Sequence, residues 1–311
     1  MKQRVQNRWQ RLFLLSTLMI SFSPAFAAKI VGLVPVRNEA LIIEQCLKAL
    51  ACYTDAIIVL DDASEDETVA IVKSLAHECN VEKIIEKKIW YRDEPGDRNK
   101  LLQAGRAIGG THFVVIDADE IFTAPCLKDN FLRTKIFELQ PEQVLELAWI
   151  RLWKSLKQCR NEVDIKEFIF CDNGTSYYES RFIHTSRVPN KFFNKESMHI
   201  TPAIEYGLLH FQAINWRNMR IRQAWYRCLE HIRNPKESIK NINKGYAASE
   251  DETNLRLATC PKAWFDGYTS IDFSAFEKAE SWREKQILGW FEHYGRDFFA
   301  PLEIWDIDWN T

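Results

Sequence analysis

Residues 113–120 read FVVIDADE, and this octet constrains the fold more than any other stretch of the chain. Its four leading apolar residues predict a buried strand. Asp117, Asp119 and Glu120 then crowd the carboxyl end of that strand, although such close like charges disfavour one another's ionisation unless a cation lies between them. Hard divalent cations take oxygen ligands, and open α/β sheets bind ligands at the carboxyl ends of their strands. Asp117 and Asp119 are therefore candidates for a metal–phosphate site, and a solvated acidic turn is the alternative.

Apolar strands alternate with amphipathic helices through the first part of the chain. Strands are predicted at 29–36, 56–60, 81–86 and 112–116, and helices at 39–51, 66–76 and 99–108. Ser64 and Glu67 fit a capping box for the second helix, and Gly109 fits the end of the third. This alternation predicts an α/β fold with a mostly parallel, Rossmann-like sheet flanked by helices.

The pattern changes after about residue 140. Strands are predicted at 143–153 and 167–171, and helices at 216–232 and 235–247, followed by short, aromatic-rich helices. Because no Gly-, Ser- or Pro-rich linker intervenes, we expect one domain whose two halves, 28–140 and 141–311, pack together. The net charge of −2 offers no field that would recruit nucleic acid.

The first 27 residues have the pattern of a secretory signal peptide. A positive start is followed by a short apolar run and by Ala25-Phe26-Ala27, an A-x-A cleavage pattern. Export into a secreted or periplasmic location is expected, and a membrane tether through an uncleaved signal anchor is the alternative. The eight cysteines are then permitted to form disulfides, but their scattered spacing assigns no pairs.

Polar clusters follow the first two predicted strands. Pro35, Asn38 and Glu39 precede a helix N-terminus, whose free N–H groups can bind an anion, although Asn38 could equally cap that helix. Asp61 and Asp62 end the second strand, where carboxylates can accept hydrogen bonds from a ribose hydroxyl or a base N–H.

A third cluster, Asp97-Arg98-Asn99-Lys100, lies just before the helix that leads to the Asp117 strand. Its two cations could neutralise a diphosphate, and a solvated loop is the alternative. The chain has no GxGxxG after its first strand and no P-loop lysine motif, which argues against a dinucleotide or P-loop fold.

Three ordered segments resemble family 2 glycosyltransferases, which have the A-type nucleotide-diphospho-sugar transferase fold. They read PVRNEALIIEQCLKAL, AIIVLDDASEDET and RNKLLQAGRAIGGTHFVVIDADEIF, within roughly residues 29–125. The resemblance implies that 28–140 binds the nucleotide sugar and 141–311 the acceptor. The residues implied to contact the nucleotide are Pro35, Asn38, Glu39, Asp61, Asp62, Arg98 and Asn99, with Lys100 as a further cation.

The resemblance also implies a metal site. Asp117-Ala118-Asp119 would be the DxD motif that bridges metal, ribose and diphosphate, with Mn²⁺ or Mg²⁺ as the cofactor. His210 resembles the late histidine that helps to hold the metal or the diphosphate in members of this family, and His199 is the competing candidate.

The family's catalytic base is usually an acidic residue in the acceptor-binding half. No residue of this chain matches it clearly, and Glu120, Glu205 and Asp251 are the candidates.

The implied activity is the transfer of a sugar from a nucleotide-diphosphate donor to an acceptor hydroxyl, with inversion at the anomeric carbon. UDP is expected ahead of GDP, and the acceptor can be a carbohydrate, a lipid-linked molecule or a protein. An exported, non-catalytic protein that keeps the fold and binds sugar or a host partner is the main alternative, because nucleotide sugars are expected in the cytosol. A phosphatase of the Asp-x-Asp type is disfavoured, because that motif would lie on the first strand.

Overall fold

The computed structural model describes residues 28–180, 184–189, 197–199, 204–253, 255–268 and 273–309. The predicted leader, residues 1–27, lies outside the described residues. Within the described ranges, no helix is both long enough and apolar enough to cross a membrane.

Strands and helices alternate through the first part of the chain, as the sequence predicts. The strands are β1 (Ile30–Val36), β2 (Ala56–Asp61), β3 (Val81–Glu86), β4 (His112–Val115), β5 (Glu120–Phe122), β6 (Val144–Arg151), β7 (Gln158–Arg160), β8 (Asp164–Cys171), β9 (Ser197–His199), β10 (Leu208–His210) and β11 (Leu257–Thr259). The helices are α1 (Ile43–Ala51), α2 (Thr68–Leu75), α3 (Glu94–Ala107), α4 (Pro125–Lys128), α5 (Phe131–Glu138), α6 (Trp216–Arg233), α7 (Ile239–Glu250), α8 (Phe273–Lys278) and α9 (Trp282–Tyr294).

One large sheet organises the described strands, and most of its pairings are parallel. The first four strands lie side by side in the order β3-β2-β1-β4, all parallel. The sheet continues through β8, β6, β10 and β5, with β9 also paired to β6, while β7 and β11 form a separate two-stranded sheet. The predicted α/β architecture is thus confirmed, and strands from both halves of the chain share one sheet.

Helices cover both faces of the parallel strands. Successive side chains of a strand point to opposite faces, so each strand packs against helices on both sides. Ile57 and Val59 of β2 pack into the cluster that contains α1 and α2 residues, whereas Ile58 and Leu60 pack into the cluster that contains α3 residues. Strands buried on both faces explain the near-continuous apolar runs that made them visible in the sequence.

Helix starts differ most from the sequence prediction. The turn at 40–42 precedes α1, which begins at Ile43. The predicted capping box at α2 is wrong: the N-cap position is Glu67, and the Ser64 hydroxyl instead accepts a hydrogen bond from the Asn38 N–H at 2.9 Å. Helix α3 starts five residues earlier than predicted, because Asp93 accepts a hydrogen bond from the Gly96 N–H and caps it.

The C-terminal helices form their own aromatic core. Trp225 of α6 is fully buried and lies against Trp282 and Trp290 of α9, with ring centroids 5.7 and 6.0 Å away. This core is tied to the sheet domain through Arg37, whose guanidinium lies 4.7 Å from the Trp282 ring. Helices α6 and α9 therefore lie beside the loop that follows β1. All eight cysteines have free thiols.

Candidate active site

The candidate site lies where the strand order reverses. From β1 the chain adds β2 and then β3 on one side, and β4 on the other. In open α/β sheets such a switch point opens a crevice at the carboxyl ends of the strands. The loops after β1, β2 and β4 carry Glu39, Asp62 and Asp117, so three of the predicted clusters meet at this crevice.

The loop after β1 is locked onto the loop after β2. Asn38 has a backbone φ of 52°, a left-handed conformation that asparagine tolerates, and its side-chain oxygen accepts a hydrogen bond from the Glu65 N–H at 2.7 Å. Arg37 donates to the Asp62 carbonyl at 2.5 Å. The Asn38 side chain therefore joins the two loops, whereas Pro35 and Glu39 line the crevice.

The two aspartates that end β2 have different environments. Asp61 is buried, and its carboxylate accepts a hydrogen bond from the Ser64 N–H at 3.1 Å, which shapes the turn. Asp62 faces the crevice and forms an ion pair with Lys87 at 2.5 Å. Burial raises the pKa of Asp62, although Lys87 opposes this rise. Asp62 is therefore placed to meet a ligand, and Asp61 supports its loop.

The third cluster lies inside α3, not in a loop before it. Arg98 lines the crevice and donates to Asp117 at 3.2 Å. The Asn99 amide exchanges two hydrogen bonds of 2.8 Å with the backbone of Tyr178, and Lys100 binds Asp97 at 3.0 Å on a half-exposed surface. Helical spacing thus turns Arg98 towards the crevice and gives Asn99 and Lys100 other partners.

The Asp117 carboxylate is held by two arginines. Arg98 and Arg187 bind its two carboxylate oxygens at 3.2 and 2.8 Å. Burial raises its pKa, but the charges of Arg187 and Arg98 outweigh burial and hold the pKa of Asp117 below its ordinary value. Asp117 is therefore ionised and already paired with cations.

Asp119 meets His210 and Arg222. The short strand β5 follows the turn at Asp117-Ala118-Asp119, called the DxD turn below after its sequence. Strand β5 pairs antiparallel with β10, which places His210 opposite Glu120. The Asp119 carboxylate lies 3.5 Å from His210 Nε2 and 3.1 Å from Arg222 Nη1. Burial opposes ionisation, yet His210 and Arg222 lower the pKa of Asp119 well below its usual range.

Glu39 is the acidic neighbour of this pair. Burial and then the Asp119 charge raise its pKa to about 8, and Arg222 lies 3.9 Å away. The structure thus brings a protonatable carboxyl next to an ionised one, which is an arrangement found at functional sites.

Glu120 is fully buried and does not line the crevice among the described residues. One carboxylate oxygen accepts hydrogen bonds from Trp149 Nε1 at 2.7 Å and from Arg187, and the other accepts the Asp117 N–H at 2.8 Å. Burial, as the largest cause, raises its pKa. These contacts favour a role in positioning the DxD turn over a role as the catalytic base.

The other two candidates for the base also lie apart from the crevice. Glu205 is exposed on a 3₁₀ turn at 204–206, and its backbone carbonyl accepts a hydrogen bond from Thr123. Asp251 is exposed after α7 and accepts hydrogen bonds from the backbone and hydroxyl of Thr253 at 2.8 and 2.5 Å. His199 belongs to β9 by its backbone, and its side chain lies outside the described atoms.

Two cavities adjoin at the DxD turn. The crevice described above has a volume of about 190 Å³, and a larger cavity of about 500 Å³ lies beside it. Six residues line both cavities: Glu94, Arg98, Asp117, Asp119, Arg222 and Tyr226. A ligand in one cavity can therefore contact a ligand in the other at these side chains.

The residues present fit a metal site that a phosphate ligand would complete. Among the described residues, no group of three or more His, Cys, Asp or Glu side chains is arranged to hold a metal ion. Asp119 and His210 nevertheless present an oxygen and a nitrogen 3.5 Å apart, and Mg²⁺ commonly takes one or two protein ligands together with substrate phosphates. Asp117 is less available, because Arg98 and Arg187 occupy both of its oxygens.

The site residues that escaped the sequence prediction include Lys87, Trp149, Arg187 and Arg222. Only Lys87 carried a signal, since it directly follows β3 as Asp62 follows β2. The other three lie in segments that are distant along the chain and carry no local motif.

Comparison with known proteins agrees with this geometry. Residues 33–130 match the model of glycosyl transferase family 2, a range that runs from within β1 to just past α4 and includes the DxD turn. These residues are thus similar to a family 2 glycosyltransferase domain. No curated protein matches the chain.

Solved structures similar to the chain include two bacterial proteins. TarS 1-349 from S. aureus shares 15% identity over 88% of this chain and 81% of that chain, with a TM-score of 0.42. Glucosyl-3-phosphoglycerate synthase from Mycobacterium tuberculosis, in complex with Mn²⁺, UDP and glucosyl-3-phosphoglycerate, shares 24% identity over 30% of this chain and 34% of that chain, with a TM-score of 0.24. The chain spans 21% of a longer TarS chain, at 22% identity over 40% of this chain and a TM-score of 0.30.

Proposed function

We propose that the protein transfers a sugar from a nucleotide-diphosphate donor to an acceptor hydroxyl, with inversion at the anomeric carbon. The observation that carries this proposal is the meeting of Glu39, Asp62, Asp117 and Asp119 at the switch point, beside a second and larger cavity. The nucleotide would occupy the 190 Å³ crevice, with Asp62 accepting a hydrogen bond from the base or ribose. The acceptor would occupy the 500 Å³ cavity. UDP is the first nucleotide to test, and GDP the second.

Charge at the DxD turn would stabilise the departing nucleoside diphosphate. Arg98 is placed to donate to phosphate oxygens, since its Nε and Nη1 groups are buried without a hydrogen-bond partner. Mn²⁺ or Mg²⁺, when bound by Asp119 and His210 with the phosphates, would supply Lewis-acid stabilisation of the leaving group. Glu120 would hold the turn in place through the Asp117 N–H.

The larger cavity offers two glutamates as the base that deprotonates the acceptor. Glu94 is paired with Arg92 and accepts the Thr185 N–H at 2.8 Å, so its carboxylate is occupied. Glu167 of β8 lines the same cavity, and its side chain has no hydrogen bond with a described residue. Glu167 therefore replaces Glu120, Glu205 and Asp251 as the proposed base. It would accept the hydroxyl proton as the oxygen attacks the anomeric carbon and the bond to the diphosphate breaks.

Calorimetry tests the donor site directly. The purified protein is titrated with UDP and GDP, with and without Mn²⁺, and the titrations are repeated with Asp119→Ala. We expect metal-dependent binding of one nucleotide and its loss in the variant. Full binding by Asp119→Ala would contradict the assigned metal site. Failure of the folded protein to bind either nucleotide would favour the exported, non-catalytic alternative.

We also propose that residues 1–27 direct export and are then removed. Cell fractionation and N-terminal sequencing of the native protein test this, with a mature start near Ala28 as the expected result. An intact N-terminus in a membrane fraction would instead support the uncleaved anchor.

A further inference from the structure

Two arginines from the C-terminal helices meet at the nucleotide crevice. Arg222 comes from α6 and Arg283 from α9, and both line the 190 Å³ crevice together with Asp119. Both also line a smaller cavity of about 110 Å³ next to it. Neither residue lies in the part of the chain that matches the glycosyltransferase family.

Arg283 lacks the anionic partner that its neighbours have. The other arginines of the crevice wall are each paired with a carboxylate, in the pairs Arg37–Glu65, Arg92–Glu94, Arg98–Asp117 and Arg222–Asp119. Among the described residues, Arg283 makes no ion pair and no hydrogen bond, and its Nε is buried without a partner. The Arg283 side chain is half-buried and its buried Nε has no acceptor, so this wall can take an anion that the described residues do not provide.

Aromatic rings hold the Arg283 guanidinium in place. It lies 4.3 Å from the Trp282 ring and 5.9 Å from the Trp225 ring. The face of an aromatic ring attracts the cation without accepting a conventional hydrogen bond, so the guanidinium N–H groups stay available to a ligand. Arg283 is thereby oriented before a ligand arrives, which lowers the entropy that binding would cost.

The charge balance next to Arg283 favours an anionic ligand. Burial and then the adjacent Arg222 charge lower the pKa of Arg283 to about 9, although nearby groups that include Glu39 and Asp119 oppose this fall. An added anion would relieve the repulsion between the two arginines.

We propose that Arg283, assisted by Arg222, binds the diphosphate of the nucleotide donor. This inference rests on the proposed function, and it assigns to α9 a direct part in donor binding. Guanidinium groups suit phosphates because their planar N–H groups donate to two oxygens at once. The family 2 domain would therefore depend on the C-terminal helices to complete its donor site.

The test compares ligands that differ only in phosphate content. Wild-type protein, Arg283→Gln and Arg283→Lys are titrated with UDP, uridine and inorganic pyrophosphate by calorimetry or competition. Lys285→Gln on the same helix is the matched control, since its side chain is 78% exposed. We expect Arg283→Gln to weaken UDP about 10- to 100-fold, the range for one charge-assisted hydrogen bond, without changing uridine affinity. Arg283→Lys should recover part of the loss.

Three results separate this inference from the proposed function. Equal UDP affinity in Arg283→Gln and wild type, at unchanged melting temperature, overturns the inference, and so does an equal loss of UDP and uridine. If wild type binds neither UDP nor GDP, the proposed function fails. In that case the anion site stands only if pyrophosphate binds to wild type and is lost in Arg283→Gln.

Discussion

Lys87 is the cation whose removal should disturb the candidate site most clearly. Its ammonium lies 2.5 Å from Asp62 and 2.9 Å from Asp97, and its side chain is only 7% exposed. Lys87→Met keeps most of the side-chain volume but leaves two carboxylates facing each other without that cation. Removing one partner of a buried ion pair costs about 3–5 kcal/mol. Because Asp62 is partly exposed and Asp97 also binds Lys100, we expect the lower end, about 3 kcal/mol.

The free energy of unfolding lost in Lys87→Met should increase with pH. Burial already raises the pKa of Asp62, and Lys87 is the main group that opposes the rise. In Lys87→Met the folded-state pKa therefore lies further above the unfolded value, which is about 3.9. A carboxyl with a raised folded-state pKa is not penalised below its unfolded pKa, and it loses stability as pH rises through the folded value. The difference in the free energy of unfolding between wild type and Lys87→Met should thus be small at pH 3.5 and reach its maximum by pH 7.

Urea unfolding at pH 3.5 and pH 7 measures both parts of the prediction. Lys100→Met is the matched control, because Lys100 also binds Asp97 but its side chain is 41% exposed; it should cost less than about 1 kcal/mol. Lys87→Met combined with Asp97→Asn should recover part of the loss, since one of the two charges is gone. A Lys87→Met penalty equal to the Lys100→Met penalty, or one independent of pH, would refute the reasoning.

Three further predictions concern the acidic residues of the site. In the metal-free protein, Glu39→Gln should stabilise the fold increasingly from pH 5 to pH 8 and no further above it, because the Glu39 pKa is raised to about 8; a pH-independent effect in thermal unfolding would contradict this. Trp149→Phe should cost about 1–3 kcal/mol in urea unfolding, because the buried Glu120 loses its 2.7 Å indole hydrogen bond. Glu167→Gln should lower kcat about 100-fold or more with little change in the KM for the donor, and unchanged kcat would remove Glu167 as the base.

Local patterns along the chain were enough to predict the sheet that carries the site. The apolar runs of β1, β2 and β4 were visible because parallel strands are buried on both faces. The polar residues that follow each strand were visible for the same reason, since they interrupt long apolar runs. Helix starts were harder to predict: Asp93 caps α3 outside any recognisable capping box, so the helix was predicted to begin at Asn99 and not at Glu94.

The sequence by itself determined the α/β class, the order of the first four strands along the chain and the DxD turn with its acidic residues. Only the tertiary structure decided which cations face those acids, because Lys87, Arg187, Arg222 and Arg283 come from distant segments that packing alone brings together. The tertiary structure also shows that Glu120 accepts a hydrogen bond from the Asp117 N–H and that Glu167 lines the larger cavity. Spacing along one element is a local property, whereas the pairing of charges across a crevice depends on contacts between elements that no local pattern encodes.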